Sequence, residues 1–144
     1  GFLERTKGAS LRYKLREFWW QLRYAWQRAW RGYDFTDVFE LGYNFTAKMP
    51  VLLAEFLKNN VGLFYDAEAD KQLDEEETNA VIKEMIFYFE NCDEDHVYQR
   101  LHQKRYYEDG EYDPEKWESV RVELERCRTE ALRLFSKWCF HLWY

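Results

Sequence analysis

An apolar repeat of three and four residues near the start of the chain is the feature that most constrains its fold. It places on one side of a helical wheel the residues Leu11, Leu15, Phe18, Trp19, Leu22, Ala25, Trp26, Ala29 and Trp30. Such spacing is typical of an α-helix with one apolar face and excludes a strand. Because Ser10 is a good N-cap and Gly32 a good helix stop, we interpret the segment between them as a core helix.

The same periodicity predicts two further helices in the middle of the chain. The first is expected to begin at Asp34 or Thr36, and Pro50 should kink or end it because proline lacks an amide donor and crowds the preceding turn. The next is expected to begin after Asp74, since Glu77 stands three residues later and the two side chains form the pattern of a capping box.

The last part of the chain predicts a short helix over residues 93–104 and a long final helix. Asp113 followed by Pro114 is a strong start signal for the long one. No segment has a convincing strand pattern. The sequence therefore predicts an all-α fold, a compact bundle of four to six helices, with a flexible N-terminus over residues 1–9 and a single helical domain over residues 10–144.

Aromatic residues make up 20% of the chain, and some of them lie on the wrong side of the first helix for a simple core. Opposite its apolar face, the wheel groups a set of residues that we call the aromatic-arginine strip: Tyr13, Arg16, Trp20, Arg23, Tyr24 and Arg31. One interpretation is that the helix packs on two layers or forms a contact in a homo-oligomer. The other is that the strip stacks a base and holds phosphate.

Charge is distributed unevenly along the sequence. Residues 1–32 hold eight Lys or Arg against two acidic residues, a net charge of +6, whereas residues 33–116 hold eight against twenty-one, a net charge of −13. The remaining residues contribute +1 to the total of −6. A long polyanion such as duplex DNA should therefore be repelled by most of the molecule.

An acidic segment near the middle of the chain is the best metal candidate. Oxygen-bearing side chains at calcium-loop spacing are Asp66, Glu68, Asp70, Gln72, Asp74 and Glu77. However, Lys71 occupies the position at which the sharp turn of such a loop requires glycine, and Glu68 is long for its position. Because an acidic linker that ends in an N-cap explains the same residues, we predict no metal there.

No pattern of catalytic residues is present. Cys92 and His96 are one helical turn apart, the spacing of half a zinc site, but no second pair is spaced to complete such a site. The chain contains no nucleophile elbow, phosphate loop or Ser/His/Asp order. We therefore predict a protein that is not an enzyme and needs no cofactor.

The odd number of cysteines argues against a disulfide framework, and no apolar run suggests a signal peptide or a membrane partner.

Three segments read RGYDFTDVFELGYNFTAK, EEETNAVIKEMIFYFE and LFSKWCFHLWY. They contain an Arg-Gly-aromatic turn, an Asp-x-x-Asp-Val-aromatic helix start and an ending close to Leu-Phe-x-Lys-x-x-x-x-Leu-Trp. In these motifs the chain resembles a family of small proteins encoded by tailed phages and prophages. The residues that match are Arg31, Gly32, Tyr33, Asp34, Asp37, Val38, Phe39, Leu134, Phe135, Lys137, Leu142 and Trp143.

The resemblance covers most of residues 12–144, with two departures: Phe39 stands where tryptophan is usual and Tyr144 where an acid is usual. It implies a phage accessory protein in the bacterial host cytoplasm, without a known activity. Together with the strip, it predicts a protein that antagonises host defence by binding, as a sponge for a cyclic or linear nucleotide immune signal. The alternatives are an acidic inhibitor of a host nucleic-acid-processing protein and a virion or DNA-packaging component.

Overall fold

The prediction of an all-α fold is confirmed. A computed structural model describes residues 2–34, 38 and 40–143, with the side chains of residues 2–9 outside the description. Helix accounts for 73% of the structure, and the described residues form five α-helices and one small sheet. They group into two compact units, residues 1–44 and residues 45–144, and each unit has its own packing.

The first unit is built on α1, which spans Phe2–Arg31. The predicted cap at Ser10 is wrong, because the helix already begins eight residues earlier. The predicted stop is confirmed: Gly32 adopts a left-handed φ of 81°, and its N–H donates to the carbonyl of Arg28 over 2.9 Å. Glycine suits this position because it lacks the Cβ that makes a left-handed φ costly.

The interpretation of α1 as a core helix is wrong for its apolar face. The large apolar side chains of that face are between 49% and 81% exposed: Leu11, Leu15, Phe18, Trp19, Leu22, Trp26 and Trp30. On the opposite side, Trp20, Tyr24 and Gln27 are half-buried. Periodicity predicts correctly that an apolar face exists, but it does not predict what covers that face.

The second unit contains the main core. It comprises α2 (Leu41–Asn59) from Phe45 onward, α3 (Glu75–Glu90), α4 (Glu94–His102) and α5 (Pro114–Trp138), which ends in a 3₁₀ turn over Cys139–His141. The buried side chains of this core are Met49, Leu53, Phe64, Leu73, Ile82, Met85, Phe89, Cys92, Ala131, Leu134 and Trp138. At its centre, the rings of Phe45, Phe89 and Phe135 meet edge to face with centroids 5.3 to 6.0 Å apart. This geometry lets ring edges contact ring faces.

A smaller cluster joins α4 to α5. Val97 and Tyr98 from α4 pack against Val120 and Leu124 from α5, with Trp117 at the edge. The predicted short helix over residues 93–104 is thus confirmed with bounds of 94–102, and it is held to the long final helix by apolar contacts.

The prediction that no segment forms a strand is wrong. Two short strands, β1 (Tyr65–Asp66) and β2 (Lys71–Gln72), pair antiparallel between α2 and α3. The Phe64 carbonyl accepts from the Leu73 N–H over 2.8 Å beside the two strands, and the buried side chains of Phe64 and Leu73 hold the hairpin to the core. Strands of two residues are too short to produce the alternation by which a sequence reveals them.

The predicted starts of α3 and α5 are confirmed, and Pro50 does not end α2. Asp74 and Glu77 form a capping box, and Asp113 caps α5 with Pro114 in its first turn. Pro50 lies inside α2, which continues to Asn59 instead of ending there. The predicted start at Asp34 or Thr36 falls partly outside the described residues.

None of the described helices combines the length and the apolar character needed to cross a bilayer.

Candidate functional site

The structure brings together five of the six residues of the aromatic-arginine strip. Because successive residues of α1 turn by about 100°, positions separated by three, four or seven residues lie on one side. Tyr13, Arg16 and Arg23 are exposed, whereas Trp20 and Tyr24 are half-buried. Half-burial holds the two rings in place and leaves part of each ring accessible.

The centre of the strip is an ordered aromatic and cationic group. The rings of Trp20 and Tyr24 stack with centroids 6.0 Å apart and an angle of 28° between their planes. The guanidinium of Arg23 lies 5.3 Å from the centroid of the Trp20 ring. Arginine placed over an aromatic face is stabilised by the ring quadrupole. The group therefore places two stacked rings and a positive charge side by side.

Arg31, the sixth predicted residue, serves the turn that follows α1. Its Nε donates to the carbonyl of Tyr33 over 3.1 Å, and its guanidinium lies 4.5 Å from the centroid of the Tyr33 ring. Nearby, the guanidinium of Arg28 donates to the buried carboxylate of Asp34. These contacts show that the Arg-Gly-Tyr-Asp motif closes the end of α1, so Arg31 is committed to local structure.

A second surface on α1 was missed as a functional candidate. It is the exposed apolar face, along which Trp19, Leu22, Arg23 and Trp26 line a shallow groove of about 270 Å³. Contiguous exposed apolar surface of this kind usually marks a binding site. The signal was in the sequence, in the same apolar periodicity that we assigned to the core.

The acidic segment lacks the arrangement of a calcium loop. The Lys137 ammonium donates to Asp66 over 3.4 Å and to Glu68 over 3.2 Å, while Lys71 is 2.7 Å from Glu77. The hydrogen bond to Glu68 is the main cause of the raised pKa of Lys137. Three of the carboxylates, those of Asp66, Glu68 and Glu77, are thus paired with lysines of the second unit.

Cys92 and His96 are not brought together as metal ligands. Cys92 is buried, its thiol donates to the carbonyl of Tyr88 over 3.3 Å, and burial raises the pKa of the thiol. His96 is exposed on α4. In the part of the chain that the structure describes, no group of three or more His, Cys, Asp or Glu side chains is placed to hold a metal ion.

A further pocket, also missed from the sequence, lies between the hairpin and the C-terminal end of α5. Its volume is about 440 Å³, and it is lined by Tyr65, Ala67, Glu68, Arg133, Ser136, Lys137, Trp138 and His141. Arg133 is already 2.9 Å from Glu130, and Lys137 is engaged as above. Since its cations are paired with carboxylates, the pocket offers no net positive charge to an anion.

Comparisons with known proteins add no assignment, since no family model, curated protein or solved structure matches this chain.

Proposed function

We propose that this chain is a phage accessory protein that acts by binding and not by catalysis, in the bacterial host cytoplasm. In this proposal it antagonises host defence by sequestering a small nucleotide signal on the aromatic-arginine strip of α1. The observation that carries the proposal is the stack of Trp20 on Tyr24 with the guanidinium of Arg23 over the indole. Nucleotides combine a flat base with negative phosphate, and this group offers a partner for each part.

The other residues of the strip extend the same chemistry along the helix. Tyr13 lies seven residues before Trp20, which corresponds to about 10 Å along the helix axis. Arg16 lies between them, and neither Arg16 nor Arg23 forms an ion pair with any residue that the structure describes. Two bases can thus stack on Tyr13 and Trp20 while the phosphates between them contact Arg16 and Arg23. This spacing favours a dinucleotide over a mononucleotide.

The free energies of these contacts are sufficient for micromolar affinity for a dinucleotide. Each base stacked on an aromatic side chain contributes about 1–3 kcal/mol, and charge-assisted hydrogen bonds add to this. Two stacked bases and two arginine contacts are therefore enough for micromolar binding. Longer nucleic acids should bind less well, because the net charge of −13 over residues 33–116 opposes a long polyanion.

Isothermal titration calorimetry against a panel of cyclic and linear dinucleotides tests the proposal. We expect at least one to bind, and Trp20→Ala or Arg23→Ala to weaken it at least tenfold. Phe18→Ala is the matched control, because it removes an exposed aromatic ring from the opposite face of the same helix. The proposal fails if no nucleotide binds more tightly than about 100 µM, near −5.5 kcal/mol, or if Phe18→Ala weakens binding as much as Trp20→Ala.

The alternative of an acidic inhibitor that mimics phosphates has weaker support. Its hairpin carboxylates are engaged by Lys71 and Lys137, which lowers the negative charge available to a partner. The exposed acids at the start of α4, residues 93–95, are the part of the surface that supports it. The alternative of a virion or packaging component stays a prediction.

A further inference from the structure

We propose that α1 pairs with α1 of a second copy of this chain, antiparallel and through the exposed apolar face. This inference rests on the exposed apolar face and not on nucleotide binding, although Arg23 borders both surfaces. It starts from the exposure of seven large apolar side chains along one face of a helix of 30 residues.

The apolar face contains a heptad seam. Its positions alternate in steps of four and three residues: Leu11, Leu15, Phe18, Leu22, Ala25 and Ala29. This alternation averages 3.5 residues, the period at which two α-helices supercoil and interlock their side chains. Trp19 and Trp26 widen the seam on one side. The 3.5-residue spacing of the seam fits another helix as the occupant of this face.

Side-chain size along the seam makes it complementary to itself in the antiparallel direction. With a two-fold axis at the level of Trp20, Leu11 lies opposite the partner's Ala29 and Leu15 opposite the partner's Ala25. Phe18 then lies opposite the partner's Leu22. The two outer layers thus pair a large side chain with a small one, as close packing requires. A parallel pair would instead place alanine on alanine at one end and Phe18 on its own copy in the middle.

Residues that flank the seam agree with the same register. On one side, Trp19 meets the partner's Trp19 and Arg12 meets the partner's Trp26, an arrangement suited to cation–π contact. On the other side, Lys14 meets the partner's Arg28. This contact between like charges is moderated because Arg28 is already paired with the buried Asp34.

The exposed area is of the size that a stable dimer needs. The three aromatic side chains Phe18, Trp19 and Trp26 are 62% to 70% exposed. Since an aromatic side chain can bury roughly 150–250 Å², they alone offer on the order of 300–500 Å². The three exposed leucines add to this, which brings the face towards the roughly 800 Å² that each partner contributes to a standard interface.

Light scattering after size exclusion tests the interface. We expect the wild type to have twice the chain mass of 17.9 kDa. Leu15→Glu and Leu22→Glu should each raise the dimer dissociation constant at least about 100-fold, because a dimer then buries two charges in its seam. Tyr13→Glu is the matched control, since it changes an exposed side chain on the opposite side of α1. A monomeric wild type at about 100 µM, or equal dissociation by Tyr13→Glu, would overturn the proposal.

Cysteine cross-linking tests the direction of the helices, in a Cys139→Ser background in which the remaining Cys92 and Cys127 are buried. Gln21→Cys should form a disulfide with its own copy, because Gln21 lies beside the two-fold axis. Lys14→Cys is the control on the same flank, and in the antiparallel pair it lies about 21 Å from its copy along the axis. Equal cross-linking of Lys14→Cys and Gln21→Cys, as a parallel pair would give, or cross-linking of Lys14→Cys alone would exclude the antiparallel register. Nucleotide binding by the monomeric Leu15→Glu variant would separate this result from the proposed function.

Discussion

At the residue scale, Glu123 joins the two helices of the smaller cluster to the rest of the second unit. Its carboxylate accepts from Arg126, from Arg100 over 2.8 Å and from the Cys127 thiol over 3.3 Å. Arg100 also donates through Nε to the buried side chain of Asn91 over 2.7 Å. The hydrogen bond from Arg126, with those from Arg100 and Cys127, outweighs burial and lowers the pKa of Glu123 to about 2.

We predict that Glu123→Gln destabilises the protein most at neutral pH. A carboxylate whose folded pKa is lowered stabilises the fold above its unfolded pKa of about 4.5, and this contribution is lost as the pH falls towards 2. Urea unfolding at pH 7 should show a loss of about 2 kcal/mol for hydrogen bonds to a charged group. The difference from the wild type should shrink below pH 4.5.

The control for this prediction is Glu125→Gln, which changes an exposed carboxylate one half-turn away on the same helix. Its effect on stability should be within about 0.5 kcal/mol at every pH. An equal loss for both variants, or a loss for Glu123→Gln that does not depend on pH, would contradict the assigned role of Glu123.

At the element scale, the helix caps differ in a way that mutation can measure. Asp74 accepts from the Glu77 N–H over 2.7 Å and Asp113 from the Glu115 N–H over 3.0 Å. Asp93 occupies the same position before α4 but its side chain forms no capping bond. We predict that Asp74→Ala and Asp113→Ala each lower the free energy of unfolding by about 1 kcal/mol. Asp93→Ala should lower it by only a few tenths, and chemical denaturation that ranks Asp93 first would contradict the cap geometry.

The helix ends and the hairpin also show which structural features can be predicted from neighbouring residues in the sequence. The caps at Asp74 and Asp113 and the stop at Gly32 were predictable because each depends on residues within one turn of the chain. By contrast, the contact between Arg100 and Glu123 joins positions 23 residues apart, and nothing local indicates it. The short hairpin was missed for a related reason, since it depends on hydrogen bonds with Phe64 and Thr78.

The candidate site was predictable to a similar degree. Helical geometry alone placed Tyr13, Trp20 and Tyr24 on one side of α1, as the structure has them. It did not reveal that Arg31 is engaged by Tyr33, because that contact is set by the turn after the helix. Nor did it distinguish an apolar face that is covered from one that is exposed, because covering depends on distant parts of the chain or on another chain.

At the scale of the whole molecule, the buried core belongs to the second unit alone. Every buried apolar side chain that the structure describes lies between Met49 and Trp138, and both hydrophobic clusters are complete within this range. The described apolar side chains of α1 are exposed or half-buried. The stability of the second unit should therefore come from its own contacts.

We predict that a fragment of residues 40–144 folds on its own, because it retains α2 to α5, their described caps and both clusters. Its circular dichroism should show a cooperative thermal transition, with a helical signal that corresponds to the loss of α1 alone. Light scattering should report a monomer, because the fragment lacks the seam from Leu11 to Ala29. A non-cooperative transition would show that α1 supplies contacts essential to the core. A dimeric fragment would place the interface between copies on the second unit and not on α1.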